Sequence, residues 1–265
     1  MKQTVVHFFV LAALFFGLWF AFSKINFVDL FHVEQLTREN EHRLGELILD
    51  AVKRGQRELE SDSVQTFLDS LKHQLCAANS INDSSITLHI FIQDDVNAFA
   101  LPNRHLVVYT GLIRYCKSAE ELSGVLAHEI SHMECHHVMK KLAKEVGLSM
   151  LTSIAGGQSS GEIMRETVKL LSSTAFDREQ EQEADASAVR MMAKTGIDAE
   201  PFANFLFRLS QEKEDIPKHF EWLSTHPNSQ DRSANILQLR QQETYHSKIK
   251  TDVERWKRIK KYVDE

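Results

Sequence analysis

Apolar residues recur at steps of three and four positions along most of this chain, which predicts that helices dominate its structure. Two such stretches, Phe27 to Leu59 and Ser63 to Cys76, precede a change of pattern. After them come three short β-branched and apolar runs that predict strands, at Ile86 to Ile92, Val96 to Ala100 and His105 to Tyr109. The helical spacing returns beyond Gly111. The predicted fold class is therefore α+β, predominantly helical with one small sheet.

The segment from Val5 to Phe22 is apolar and carries no formal charge over eighteen residues, a length that can cross a bilayer. Only Lys2 precedes it, and bulky Phe20 and Ile25 stand where a cleavage site needs small residues. These features favour an uncleaved membrane anchor over a cleaved signal peptide or a buried helix. The flanking charges, Lys2 and Lys24, specify orientation weakly, and we expect the body of the protein to lie outside the cytoplasm.

Composition narrows the possible functions. The 31 basic and 37 acidic residues give a net charge of −6 and no basic face, so nucleic-acid binding is not expected. The three cysteines show no CxxC spacing, which argues against a disulfide framework or a cysteine metal site. The length suits one ordinary domain with appendages. We expect the anchor or signal segment in residues 1–26, the domain in residues 27–240 and a charged C-terminal helix in residues 241–265.

The segment His128-Glu129-Ile130-Ser131-His132 follows a predicted capping box at Ser118 and Glu121, which places it on a helix. Histidines four residues apart lie on one helix face, where both imidazoles can bind one cation, and Glu129 can reach a water beside it. The pattern alone also occurs by chance on exposed helices. This helix, however, carries buried-type apolar residues, and buried histidines need polar partners. The segment therefore predicts a zinc site.

A catalytic zinc ion takes three protein ligands, so a third ligand must lie elsewhere in the chain. A longer form of the motif requires histidine six residues after His132, where this chain has Val138. His136 and His137 are expected to extend the same helix beyond the reach of one ion. The third ligand is therefore expected on a later helix.

The segment from Phe176 to Met192 is such a helix, with Glu181 and Asp185 one turn apart on one face. One carboxylate could bind the metal while the other accepts a hydrogen bond from the far nitrogen of a ligating histidine. A solvated acidic face is the alternative interpretation, and it suits the neighbouring residues Glu179, Gln182 and Glu183.

Three segments occur together and in order: His-Glu-Ile-Ser-His at 128–132, Glu-Gln-Glu-Ala-Asp at 181–185 and Ser-Thr-His-Pro at 224–227. With the segments at 97–102 and 109–112, they make the region from Leu88 to Leu239 resemble peptidase family M48. That family includes HtpX-like and BepA-like bacterial proteases and the CAAX prenyl proteases. The resemblance implies a zincin-like (gluzincin) domain, a zinc-dependent endopeptidase activity and one Zn²⁺ ion per chain.

The resemblance also implies roles for individual residues. Glu181, not Glu183, would be the third zinc ligand beside His128 and His132, and Asp185 would support a ligand. His226 would lie near the metal, either assisting the stabilisation of an oxyanion or capping the zinc in a closed resting form. Arg232 would lie near the catalytic face.

Glu129 is expected to take a proton from the attacking water and to deliver it to the leaving amine. Polypeptide substrates are expected to bind as extended strands along Asn97, Ala98, Phe99 and Ala100, because main-chain hydrogen bonds hold a peptide without demanding a particular sequence. The chain departs from its relatives at Pro102-Asn103-Arg104, where Pro-Gly-Gly is usual. Leu148 to Glu162, with a Gly/Ser-rich centre, is expected to be a mobile lid or a plain linker.

The function expected from these features is quality control of misfolded or unassembled proteins in a bacterial envelope. The alternative is a membrane-tethered chaperone-like or assembly factor with latent protease activity. The intact Glu129 argues for catalysis, because a binding module needs no base beside the metal.

Overall fold

The computed structural model describes residues 33–157, 160–212, 221–244 and 252–264. Contacts divide the chain into residues 1–40 and 41–265, and of the first unit only residues 33–40 are described, as the start of a helix. The predicted anchor from Val5 to Phe22 lies outside the described residues. Within the described ranges, no helix combines the length and the apolar character needed to span a bilayer.

The described residues are mostly helical, with three short strands, and the predicted α+β class is confirmed. In chain order the elements are α1 (Val33–Gly55), α2 (Asp62–Ala78), β1 (Thr87–Phe91), β2 (Ala98–Leu101), β3 (His105–Tyr109), α3 (Thr110–Tyr115), α4 (Ala119–Glu134), α5 (His137–Glu145), α6 (Leu148–Ala155), α7 (Gly161–Ser173), α8 (Arg178–Thr195), α9 (Glu200–Gln211), α10 (Glu221–Thr225), α11 (Ser229–Gln242) and α12 (Val253–Asp264).

The sheet has the order β1-β3-β2, with β1 parallel and β2 antiparallel to the central strand β3. Every residue of β2 and β3 is buried, as expected for strands covered on both faces. Helices α4 and α7 both pack against β2, which forms one edge of this sheet. The strand predicted as the substrate template is therefore an edge strand next to the helix that carries the histidine motif.

Helix α4 is the centre of the fold, because it packs against β2, α2, α8 and α9 and is buried along nearly its whole length. Its predicted cap is present, since Ser118 Oγ accepts a hydrogen bond from the amide of Glu121 at 3.3 Å. The carboxylate of Glu121 accepts a hydrogen bond from the amide of Lys117 at 2.8 Å rather than from that of Ser118. It also pairs with Arg208 of α9 at 2.7 Å, which joins the start of α4 to a neighbouring helix.

The expectation that His136 and His137 continue the motif helix is wrong. Helix α4 ends at Glu134, and its last turn tightens as the amide of His136 donates to the carbonyl of Met133 at 3.0 Å. His136 has a φ angle of 56°, in the left-handed region, which interrupts the helical path. Helix α5 then begins at His137 in a new direction, and the side chain of His137 is buried while that of His136 is exposed.

The expectation of a loop from Leu148 to Glu162 is also wrong for its first half. Residues 148–155 form α6, with Leu151 and Ile154 buried, because their three-residue spacing places both on one helix face. Helix α7 then starts at Gly161 with Ser160 as its cap.

The C-terminal helix α12 packs on α2 and α3. Its apolar residues Trp256, Ile259 and Val263 are buried, and the ring of Trp256 lies 5.8 Å from that of Phe67. The indole nitrogen of Trp256 also donates to the carbonyl of Lys117 at 3.2 Å, just before α4.

Gly124 brings α4 and α9 into close contact. A Cβ atom placed on Gly124 would lie 2.3 Å from Cβ of Phe202, closer than real Cβ contacts. Gly124 lies one turn before His128, so the packing of α9 helps to hold the part of α4 that carries the histidine motif.

We expect Gly124→Ala to lower the free energy of unfolding, as measured by urea denaturation. Overpacking typically costs about 1–3 kcal/mol, which outweighs the gain of up to about 1 kcal/mol from the better helix propensity of alanine. Gly161→Ala is the matched control, because a Cβ atom there meets no atom within 4 Å. Equal stability of the two variants would contradict the close packing of α4 and α9.

Candidate metal centre

Two histidines of α4 and one glutamate of α8 converge in the interior. Nε2 of His128 and Nε2 of His132 lie 3.0 Å apart, as their four-residue spacing predicts. Oε1 of Glu181 lies 3.4 Å from Nε2 of His132, and Oε2 lies 3.7 Å from Nε2 of His128. Helix α8 approaches α4 closely through the small, fully buried residues Ala184 and Ala188.

The spacing of these atoms suits a small cation. Four ligands placed tetrahedrally about 2.1 Å from a zinc ion are separated from one another by about 3.4 Å. The three separations among the donors of His128, His132 and Glu181 run from 3.0 to 3.7 Å. Together with His226 they form a buried group whose ligand atoms all lie within 4.8 Å of one another, so the residues present fit a metal ion.

Asp185 and Arg232 hold two of these residues in place. Oδ1 of Asp185 lies 3.0 Å from Nδ1 of His128 and accepts a hydrogen bond from its N–H, which leaves the lone pair of Nε2 facing the cluster. Arg232 of α11 donates to both oxygens of Asp185, at 2.7 and 2.8 Å, and its third nitrogen lies 2.5 Å from Oε2 of Glu181. One guanidinium thus orients both carboxylates, in the forked geometry that arginine provides.

The cluster carries excess negative charge. The carboxylates of Glu129, Glu181 and Asp185 are buried beside the guanidinium of Arg232, which leaves two negative charges when the histidines are neutral and one when His226 is protonated. A divalent cation would neutralise them, and buried charges are costly without such compensation. Lys141 contributes positive charge from outside this group, although burial lowers its pKa to about 8.

Burial by itself raises the pKa of Glu181 and Glu129, but nearby positive charge outweighs it. His226 and Arg232 hold the pKa of Glu181 well below its ordinary value, and His226 holds that of Glu129 below its own. Conversely, burial lowers the pKa of His226, while the charges of Glu181 and Glu129 raise it above the ordinary value. Both glutamates are therefore ionised at neutral pH.

His226 follows α10 and is part of the same cluster. Its Nδ1 lies 2.8 Å from Oε1 of Glu181 and 3.3 Å from Nε2 of His128. Its Nε2 lies 3.3 Å from Oε1 of Glu129, and its ring lies 4.4 Å from that of Trp222. In this conformation Nδ1 of His226 lies beside the three predicted ligands, where it could be a fourth metal ligand.

Glu129 faces the cluster from α4 and is completely buried. Its Oε1 accepts a hydrogen bond from the indole nitrogen of Trp222 at 3.4 Å. Its Oε2 has no hydrogen-bond partner among the described residues. A buried carboxylate oxygen requires a polar partner. A water molecule on which Glu129 acts as a base would be such a partner.

The strand residues Asn97, Ala98, Phe99 and Ala100 lie outside this cluster, on the edge strand β2 and just before it. Two contacts link this part of the chain to the helices that cover it. The side-chain amide of Asn97 donates to the carbonyl of Ser172 in α7 at 3.1 Å, and the amide of Trp222 donates to the carbonyl of Val96 at 3.2 Å. In this conformation the strand is covered, and its substrate role stays a prediction.

The structure thus brings six predicted residues from three separate helices around His226: His128, Glu129, His132, Glu181, Asp185 and Arg232. Sequence reasoning missed Trp222 and the position of His137, which lies beside His132. The i, i+4 spacing of Trp222 and His226 was the available signal for Trp222.

Comparison with known proteins gives the family. A model of peptidase family M48 matches residues 62–240, more than half of the chain. The chain belongs to peptidase family M48. The resemblance inferred from the motifs is confirmed, and so is the expected class of enzyme, metalloendopeptidase, at the level of the family.

Relatives of this chain include bacterial and mitochondrial proteases. A beta-barrel assembly-enhancing protease of Escherichia coli (strain K12) is 28% identical over 209 residues, which cover 69% of this chain and 40% of that protein. A similar protease of Yersinia pestis is 26% identical over 208 residues, 72% of this chain and 42% of that protein. The mitochondrial metalloendopeptidase OMA1 of Schizosaccharomyces pombe is 26% identical over 221 residues, 77% of this chain and 66% of that protein. The chain thus spans less than half the length of the two bacterial relatives.

We expect Arg232→Met to lower the free energy of unfolding by about 3–5 kcal/mol, because it leaves two buried carboxylates without their counter-charge. Urea denaturation with a chelator present measures this without a contribution from bound metal. Arg240→Met on the same helix is the control, since the Arg240–Asp198 pair is partly exposed and such pairs contribute about 1 kcal/mol or less. A loss at Arg232 no larger than that at Arg240 would contradict the role given to the buried guanidinium.

Proposed function

We propose that this chain is a zinc-dependent endopeptidase that cleaves unfolded or misassembled proteins as part of protein quality control. The observation that carries the proposal is the buried set of His128, His132 and Glu181 with the carboxylate of Glu129 beside it. Membership of a metallopeptidase family supports the class of reaction. The identity of the ion, the roles of the residues and the substrate are our inference.

His128, His132 and Glu181 would hold the zinc ion. When bound, the ion would act as a Lewis acid that polarises the scissile carbonyl and makes a neighbouring water more acidic. Glu129 is ionised at neutral pH, so it can take the proton of the attacking water and deliver it to the leaving amine. Asp185 and Arg232 keep His128 and Glu181 in the required orientation.

A polypeptide substrate would pair with the edge strand β2 in an extended conformation. This is supported by the position of Asn97 to Ala100 at the sheet edge and by the contact of β2 with the motif helix. Main-chain hydrogen bonds along such an edge accept many sequences, which suits a protease for misfolded chains. The segment around Trp222 must move away first, because its backbone is bonded to Val96 beside the strand.

We further propose that the conformation described here is a closed resting form. His226 supports this, since its Nδ1 lies among the predicted ligands and its other nitrogen faces Glu129. In that position the imidazole occupies the space that water and substrate need. Of the two roles considered for His226, the geometry favours capping the metal over stabilising an oxyanion.

The names of the relatives support a substrate class and a location. The bacterial relatives are named as beta-barrel assembly-enhancing proteases, and the fungal relative is named as a mitochondrial metalloendopeptidase. We propose that this chain acts outside the cytoplasm on unassembled envelope proteins and is held at a membrane by Val5 to Phe22. The closed position of His226 also supports a second candidate function, that of a chaperone-like assembly factor with latent protease activity.

We expect Glu129→Gln to keep about one zinc ion per chain while the rate of casein cleavage falls by roughly 10²–10⁴, the range for removal of a general base. Zinc content measured by atomic emission, together with peptide release, provides the test. Glu134→Gln is the control, because Glu134 ends the same helix and its exposed carboxylate pairs with Arg104. Undiminished cleavage by the Glu129 variant would remove the proposed base, and a wild-type chain without zinc would remove the metallopeptidase assignment for this site.

We expect His226→Ala to cleave an unfolded substrate faster than the wild type, because the imidazole no longer competes with water and substrate. Initial rates at saturating zinc measure this, with exposed His73→Ala as the control. If His226→Ala is slower and zinc content is unchanged, His226 assists the reaction and does not restrain it. If neither protein cleaves any substrate, the chaperone-like function becomes the better account.

A further inference from the structure

His137 links a predicted metal ligand to an exposed carboxylate. It is the first residue of α5, its side chain is fully buried, and its Nδ1 lies 3.0 Å from Nδ1 of His132. Its Nε2 lies 3.1 Å from Oε2 of Glu183, whose side chain is 58% exposed. The turn at His136, with its left-handed φ angle, directs His137 back towards the motif helix.

The positions of the protons follow from these contacts if His132 binds a metal. A neutral imidazole that binds through Nε2 carries its proton on Nδ1. That proton is donated to the facing Nδ1 of His137, which must therefore be the acceptor. The proton of His137 is then on Nε2, where it is donated to the carboxylate of Glu183. The hydrogen bonds therefore all point the same way: His132 donates to His137, and His137 donates to Glu183.

The two predicted histidine ligands are supported in different ways. Nδ1 of His128 meets the buried carboxylate of Asp185 directly at 3.0 Å. Nδ1 of His132 meets the neutral ring of His137, which stands between it and the carboxylate of Glu183. The ring of His132 also stacks on Phe176, with centroids 4.0 Å apart. Phe176 restrains the plane of the ring, while His137 selects which nitrogen carries the proton.

We propose that His137 is a positioning residue, which together with Glu183 keeps Nε2 of His132 free to bind the catalytic metal. This rests on the proposed function only in so far as His132 is a metal ligand. Partners of this kind raise the basicity of a ligating histidine, and their loss typically weakens metal binding by about 10–100-fold. The same size of loss is expected here, because without His137 the buried Nδ1–H of His132 has no acceptor.

The test measures the affinity of the chain for Co²⁺ and Zn²⁺ by competition with a chelator, using the visible absorption of bound Co²⁺ as the signal. His137→Phe removes both hydrogen bonds and is expected to weaken binding by about 10–100-fold. His137→Asn is the rescue variant, because its amide oxygen can replace Nδ1 as the acceptor for His132. Its affinity is expected to lie between those of the wild type and the phenylalanine variant. Glu183→Gln is expected to show a smaller loss than His137→Phe.

The controls are His136→Asn and Glu179→Gln, exposed residues of the same types on the same segments as His137 and Glu183, and both are expected to bind Co²⁺ like the wild type. Thermal unfolding without metal shows whether each variant folds. If His137→Phe does not fold, the comparison of His137→Asn and Glu183→Gln with the controls decides the question.

Three outcomes separate the proposals. A wild-type chain that binds no metal overturns the proposed function. A wild-type chain that binds tightly, with His137→Phe and Glu183→Gln unchanged, overturns only the role of His137. A second bound ion that is lost in His137→Phe also overturns it. In that case the neighbouring donors of Cys135, His137 and Glu183, which lie within 4.8 Å of one another, form a metal site of their own.

Discussion

The forked contact of Arg232 with Asp185 and Glu181 is the interaction on which the candidate site depends. Carboxylates in a protein interior are tolerated only when their charge is compensated, and here one guanidinium meets both at 2.5–2.8 Å. It comes from α11, whereas the carboxylates come from α8. The pairing therefore determines the orientation of Glu181 towards the histidines of α4, and with it the separation of the predicted ligands.

Close helix packing makes that arrangement possible. Gly124 admits Phe202 of α9 at a distance that no side chain would allow, and Ala184 and Ala188 let α8 approach α4. Helix α4 ends at Glu134, and the turn at His136 places His137 next to His132. Close packing of the helices thus also positions the polar groups of the candidate site. Small residues at the helix contacts leave room for the long polar side chains beside them.

The position of His226, which we propose is a closed one, would connect the chemistry of the site with access to it. Trp222 and His226 lie on one short segment, which donates a hydrogen bond to Glu129, places an imidazole among the predicted ligands and donates a backbone hydrogen bond to Val96 beside β2. Movement of this single segment would expose the predicted metal, the predicted base and the predicted substrate strand together. Under the proposed function, such an arrangement would keep the protease inactive until an unfolded chain is present.

Features that depend on neighbouring residues could be predicted from the sequence. Helical spacing predicted the dominant helices, Ser118 was correctly identified as a cap, and His128 with His132, like Glu181 with Asp185, shared a face because each pair lies four residues apart. Membership of the family was likewise readable from the motifs. Three contacts became visible only in the folded chain: His226 lies 2.8 Å from Glu181, Trp222 donates to Glu129, and His137 turns back to His132. The first two contacts join residues 45 and 93 positions apart, and the third depends on a left-handed backbone angle at a histidine, for which the local pattern carries no signal.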